Sequence, residues 1–104
     1  MLFRSKKAFK LDSLKDKRVL LLGVSYRSDI GDTRYSPVER FYSFIRKENA
    51  IIKTHDPYIN FWEEVNLKVE QNLNKILKKK YDIIIITTSH TEYINSNKLL
   101  KYFN

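Results

Sequence analysis

Gly23-Val24-Ser25-Tyr26-Arg27-Ser28-Asp29-Ile30-Gly31-Asp32-Thr33-Arg34-Tyr35-Ser36-Pro37-Val38-Glu39 is the stretch on which the fold turns. An apolar run, Val19 to Leu22, stops at its first glycine, and an amphipathic pattern begins at its end. Ser36-Pro37-Val38-Glu39 reads as a capping box. Ser36 is the expected N-cap, Pro37 fills the first helical position where no N–H is needed, and Glu39 can reach back to the cap. The stretch is therefore a strand, a polar loop and a helix N-terminus. Free N–H groups and the positive end of a helix dipole favour an anion there, and Arg27 and Arg34 could clamp one. The same pattern also describes an ordinary strand–loop–helix turn whose arginines only solvate the loop.

Working outward, Arg18 to Gly23 is a short run of the buried-strand type. After the loop, Val38, Phe41, Tyr42 and Ile45 recur at helical spacing and give one apolar face. Lys47 suits the helix C-terminus, and Asn49 can end it as a left-handed cap. Ala50 to His55 follows as a second strand, closed by Asp56-Pro57. Strand, helix and strand within about forty residues predict a right-handed βαβ unit with parallel strands.

Beyond Pro57, Ile59, Phe61 and Trp62 read as packed side chains on a short helix or loop, and Leu67 to Val69 as a brief strand. Val69, Leu73, Ile76 and Leu77 then keep helical spacing, and Lys78-Lys79-Lys80 falls where a helix C-terminus accommodates positive charge. Tyr81 to Thr88, with four consecutive isoleucines, predicts a strand buried on both faces. Ser89-His90-Thr91-Glu92 repeats the capping pattern, and a last amphipathic segment carries Ile94, Leu99, Leu100 and Phe103. At the other end, Leu2, Phe3, Phe9, Leu11 and Leu14 hold no sustained period, so residues 1–17 read as a basic lead-in.

A chain of 104 residues is sized for one domain. Its net charge of +8 comes from 20 basic and 12 acidic residues, and the lysines are scattered. A solvated surface accounts for this better than a nucleic-acid face, because the aromatics mostly sit at core spacing. There is no cysteine, so disulfides and thiolate metal sites are excluded within these residues. His55 and His90 are too few to argue for a metal. No apolar run approaches the roughly 20 residues needed to span a bilayer, and the N-terminus lacks a signal-peptide core. A cytoplasmic protein is the expectation.

Alternating strands and helices with strongly apolar strands predict an α/β fold, a three-layer Rossmann-like sandwich around a mostly parallel sheet. Ligands in such sheets sit outside the carboxyl ends of the strands. Three polar groups converge there: the 24–35 loop, Asp56 after the second strand, and Ser89 with His90 after the last. Asp56 could accept hydrogen bonds from ribose hydroxyls or simply make an Asp-Pro turn. His90 could move a proton or simply satisfy a neighbour. Two glycines and no G-x-G-x-x-G exclude an NAD site of the dinucleotide-binding type.

Gly23, Tyr26, Asp32, Thr33, Arg34, Ser36 and Pro37 fall in register with G-x-x-[YF]-K-x-x-x-x-D-T-R-x-S-P. That motif opens the C-terminal, UDP-binding domain of the UDP-glucose/GDP-mannose dehydrogenase family, the nucleotide-sugar 6-dehydrogenases of polysaccharide biosynthesis. His55-Asp56-Pro57-Tyr58 resembles the same family's "YDP", and Asp82 to Thr87 with His90 resembles its "D-apolar-run-T-x-H". The resemblance covers roughly residues 15–100. It implies a UDP-type domain over residues 18–104, with residues 1–17 as the remnant of a connecting helix.

The resemblance further implies that Tyr26, Arg27, Asp32, Arg34 and Ser36 bind the UDP moiety. Arg27 stands where the family has lysine, which keeps the charge but changes reach and geometry. Arg34 would hold phosphates or brace the loop through Asp29 or Asp32. Tyr35 stands where the family often has glutamate, and the family's later strand with its "D-x-R" turn has no counterpart before Asn104. Asp56 and His90 would serve the ribose or brace the loop. NAD and the catalytic cysteine belong to regions of the family that these residues do not match, so no catalytic residue is assigned and this chain alone is expected to be inactive. Expected partners are UDP or a UDP-sugar, and either the dehydrogenase domains or a second copy. The competing reading is a free-standing Rossmann-like regulatory or interaction module, for which a sheet edge left open by the absent strand would provide the surface.

Overall fold

The computed structural model describes residues 2–5, 14–34 and 36–103. Residues Phe9, Leu11 and Tyr35, and the side chains of Leu2, Phe3 and Phe103, lie outside what it describes. One four-stranded sheet carries the fold. Its strands are β1 (Leu2–Ser5), β2 (Arg18–Leu22), β3 (Ile51–His55) and β6 (Ile83–Ile86), in spatial order β1-β6-β2-β3. β2 lies centrally and runs parallel to both neighbours, with Leu20 opposite Lys53 on one side and Ile84 on the other.

The apolar runs explain this placement. Val19, Leu21, Ile83 and Ile85 pack on one face with Val38, Tyr42 and Ile45 of α1 (Val38–Lys47) and with Trp62. Leu20, Leu22, Ile84 and Ile86 pack on the other face with Leu73 and Ile76 of α2 (Leu73–Ile76), with Tyr93 of α3 (Thr91–Ile94) and with Leu99 of α4 (Asn97–Leu100). Side chains of a strand alternate between faces, so a strand covered on both sides must be apolar at every position. Ile83 to Ile86 meets that demand, and all four are buried. The result is the α/β layering with a mostly parallel sheet that the sequence implies.

α1 begins one residue later than the capping box suggests, with Pro37 at the boundary (φ −65°, ψ −15°). Ser36 Oγ still accepts the Val38 N–H at 3.3 Å, so the serine serves the helix start from just outside it. The C-terminus follows expectation closely. Asn49 takes φ +63°, its N–H bonds Arg46 C=O, and Ala50 N–H reaches back to Ile45 C=O, which forms a Schellman motif.

Four expectations need correction. Trp62 and Phe61 form β4 (Phe61–Trp62), paired antiparallel with β5 (Leu67–Lys68) in a separate hairpin, rather than a helix or loop. The helix expected from Val69 is the single turn α2, because Glu70 pairs with His55 as an isolated bridge and Asn72 caps the helix by accepting Lys75 N–H. Near the C-terminus Ile94 is exposed and Tyr93 is fully buried, the reverse of the expected phase. A new helix starts at Ser96, whose Oγ accepts the Leu99 N–H, and that break resets which side chains face inward. Finally, Leu2–Ser5, expected within the lead-in, pairs antiparallel with β6 and covers the edge expected to be open.

Candidate functional site

The carboxyl ends of β2, β3 and β6 meet at one place, and a buried carboxylate joins them. Asp56 follows β3 and is fully buried. Its Oδ2 accepts from Val24 N–H (2.9 Å), Ser25 N–H (3.1 Å), Ser25 Oγ (2.8 Å) and His90 Nε2 (3.0 Å). Its Oδ1 accepts Tyr58 N–H at 2.8 Å. Burial pushes the Asp56 pKa up, but the hydrogen bonds from His90, Tyr58, Val24 and Ser25 outweigh it and hold the pKa below the ordinary value. A carboxylate supplied with this many donors is ionised and stationary.

His90, also fully buried, extends the junction. Its Nδ1 faces the Asp29 N–H at 2.8 Å and must accept, so Nε2 carries the proton that goes to Asp56. Asp29 sits at φ +60° near the tip of the loop, and its Oδ1 accepts Thr91 N–H at 2.8 Å. The Thr91 hydroxyl donates to the same carboxylate, and this bond is the chief reason the Asp29 pKa lies below normal. A residue 62 positions upstream thus performs the N-terminal capping of α3 that the local Ser89-to-Glu92 box implies. Tyr58 and Tyr93 pack their rings against His90, at centroid distances of 5.2 and 5.6 Å.

Gly23 makes the junction possible. It takes φ +98°, and a Cβ there would lie 2.4 Å from Thr88 Cβ and 2.8 Å from Thr88 N. Only glycine allows β2 to turn this close to the end of β6. Thr88 Oγ donates to Ser25 C=O at 2.8 Å, which ties the two loops again.

Around this buried junction runs an exposed rim. Tyr26 is half exposed, and the Arg27 guanidinium stands 5.5 Å from its ring centroid. Arg34 leaves three-quarters of its side chain in solvent while forming a two-pronged pair with Asp32, Nε to Oδ1 at 3.1 Å and Nη2 to Oδ2 at 3.0 Å. The Asp32 carboxylate also accepts Arg34 N–H, and the hydrogen bonds from Arg34 pull its pKa down to about 2. Ser36 is buried.

The structure therefore separates the residues singled out by sequence. Asp56 and His90 meet each other and brace the loop. Asp32 holds Arg34, Ser36 supports α1, and Tyr26, Arg27 and Arg34 face solvent. Ser25, Thr88 and Tyr93 were not singled out, and Asp29 was named only as an alternative brace for Arg34, which pairs with Asp32 instead. The partners of all four lie 31 to 63 residues away, so no local pattern announces them. Among the described residues no group of His, Cys, Asp and Glu could hold a metal ion.

Residues 20–102 match the model of the UDP-glucose/GDP-mannose dehydrogenase family, UDP binding domain. The chain belongs to this family. Among curated relatives, the UDP-N-acetyl-D-mannosamine dehydrogenase of Methanococcus aeolicus is 26% identical over 92 residues, covering 88% of the chain and 20% of the relative. That of Methanocaldococcus jannaschii is 33% identical over 82 residues, covering 78% and 18%. The solved structure of the UDP-D-ManNAc dehydrogenase from Pyrococcus horikoshii superposes with a TM-score of 0.66 at 26% identity, covering 86% of the chain and 20% of that protein. The chain thus spans about a fifth of the length of these relatives, and the fifth it matches is the UDP-binding domain. No described helix is long and apolar enough to cross a membrane.

Proposed function

We propose that this domain holds the uridine diphosphate part of a nucleotide sugar on the loop between β2 and α1. The observation that carries the reading is the exposure of Arg27 and Arg34 in the loop that the family match includes and that leads into the ten-residue α1. A diphosphate offers two anionic centres, and two guanidinium groups on a loop that leads into a helix start suit it. Tyr26 presents a half-exposed ring for the nucleoside or sugar. Asp32 and Ser36 contribute by holding the loop and the helix start, and Asp56 and His90 by fixing the floor beneath.

In this reading the oxidation of the sugar, with NAD as acceptor, is the work of dehydrogenase regions beyond the matched fifth, and the setting is cytoplasmic. These 104 residues have no cysteine with which to form a thioester. The dehydrogenase domains or a second copy complete the site. Calorimetric titration with UDP, UMP and a UDP-sugar tests the proposal. Binding of UDP at least about tenfold tighter than UMP, lost on Arg27→Ala or Arg34→Ala, is the expected result. Equal affinity for UDP and UMP would remove the diphosphate clamp, and no binding at millimolar ligand would remove the site from the isolated chain.

A further inference from the structure

The edge of the sheet opposite β1 is open over a short length. Ile51 N–H bonds Lys17 C=O, and Gly23 N–H bonds His55 C=O, so the odd residues of β3 direct their backbone groups toward β2. The even residues direct theirs outward. At the C-terminal end these are satisfied, because Glu70 N–H bonds Thr54 C=O and Asp56 N–H bonds Glu70 C=O. Ile52 N–H, Ile52 C=O and Thr54 N–H have no such bond among the described residues. They border a groove of about 390 Å³ between β3, the segment 67–70 and α2.

The two walls of this groove differ in chemistry. Lys53 lies on the same strand face as His55, which packs on Tyr93, and this is the face that α2 covers. Lys75 and Lys79 line that side together with Glu70, and among the described residues Lys75 pairs with Glu70 at 3.3 Å. Ile52 lies on the other face with Leu67 and Val69, at the margin of the first core cluster. A guest strand here would meet positive charge on one side and apolar surface on the other.

We propose that the β3 edge is a docking site for an extended peptide segment of alternating acidic and apolar residues, which adds a strand to the sheet. The backbone of the guest bonds Ile52 and Thr54, its acidic side chains face Lys53 and Lys79, and its apolar side chains lie toward Ile52 and Leu67. The period of two in a strand matches the division between the groove walls. Charge complementarity selects an acidic partner over a neutral one, and the exposed backbone groups select an extended peptide over a compact anion.

The experiment uses the full 104-residue chain and a dye-labelled decapeptide of alternating glutamate and valine, followed by fluorescence anisotropy. Two controls carry equal charge: a glutamate–proline alternating decapeptide, in which every second residue has no N–H to donate and the fixed proline φ disfavours a β ladder, and a single-stranded oligonucleotide. The glutamate–valine peptide should bind at least about tenfold tighter than either control. Lys53→Glu with Lys79→Glu should weaken it by a further tenfold or so, and Lys53→Gln with Lys79→Gln by less, with unchanged melting temperatures. Hydrogen exchange at the Ile52 and Thr54 amides should slow on binding. Equal binding of the proline peptide or tighter binding of the oligonucleotide would overturn the proposal in favour of a general polyanion surface. Absence of binding would also overturn it, leaving the lysines as guards against edge-to-edge association.

Discussion

The floor and the rim of the candidate site each pair an aspartate with a nitrogen-bearing side chain, to opposite ends. In the floor, Asp56 and His90 are fully buried, and their side-chain polar atoms are committed to neighbours on three different loops. On the rim, Asp32 and Arg34 also pair, but in solvent and two residues apart. A buried pair takes its energy from the low-dielectric surroundings and from the cost of leaving either member alone, whereas an exposed pair is weakened by water and salt. The floor should therefore decide whether the site exists, and the rim what it binds.

Breaking the floor should give the largest effect. Asp56→Ala strands the Val24, Ser25 and Tyr58 N–H groups and the His90 Nε2–H, and should cost about 3–5 kcal/mol of stability. Denaturant unfolding should show it as a fall in midpoint without a matching change in slope. A loss below about 1 kcal/mol would mean that water replaces the carboxylate and that the junction is not closed. Gly23→Ala comes next, at about 2–4 kcal/mol, since a methyl group at φ +98° meets Thr88 at 2.4 Å. Its telltale is that Thr88→Gly should recover part of the loss by removing the atom it strikes.

The rim should behave otherwise. Arg27→Ala should leave the melting temperature unchanged and weaken UDP binding by about tenfold, with Arg27→Lys recovering only part of it because the fork geometry is gone. A melting temperature lowered as far as by Asp56→Ala would erase the distinction between floor and rim.

Acid sharpens the same contrast. His55 is fully buried, its Nδ1 donates to the Tyr93 hydroxyl at 2.8 Å, and that hydroxyl donates to His55 C=O. Its Nε2 has no hydrogen-bonded partner among the described residues. Burial holds the His55 pKa below 6.5, against smaller opposing pulls from the Gln71 backbone and Asp56. The unfolded chain takes up a proton at this position from about pH 6.5 downward while the folded chain does not, so stability falls as pH drops through that range toward the lower folded value. The melting temperature should decline between pH 7 and 5, and His55→Gln should flatten that slope. Whatever stability the rim carboxylate Asp32 adds, with its pKa pulled down to about 2, should be kept above about pH 4 and lost only as pH falls below that.

What the sequence revealed and what it hid divides along physical lines. The four isoleucines, the α1 face and the Asn49 cap are legible because each is a local rule with a period or a conformational preference behind it. The Gly23-to-Pro37 stretch is legible as strand, loop and helix start for the same reason. Asp56 and His90 could be marked as candidates, but the choice between ribose contact and bracing depended on Ser25 and Asp29, which only the fold brings near. Tyr93 was hidden because Ser96 resets the helix phase. β1 was hidden because four residues without alternation carry too little signal, and its pairing rests on the partner strand β6.

The smallest effect belongs to the rim pair itself. In Asp32→Asn the amide oxygen can still accept Arg34 N–H, so the local turn survives, while the negative charge beside the guanidinium is gone. Thermal stability should hardly move, as for an exposed pair. If Arg34 serves the diphosphate, UDP affinity should rise about two- to threefold at low salt, because one competing anion has been removed, and the gain should fade as salt screens it. If Arg34 instead braces the loop through Asp32, affinity should fall, and raising the salt should not restore it. The sign of this one change separates the two roles that the sequence leaves open for Arg34.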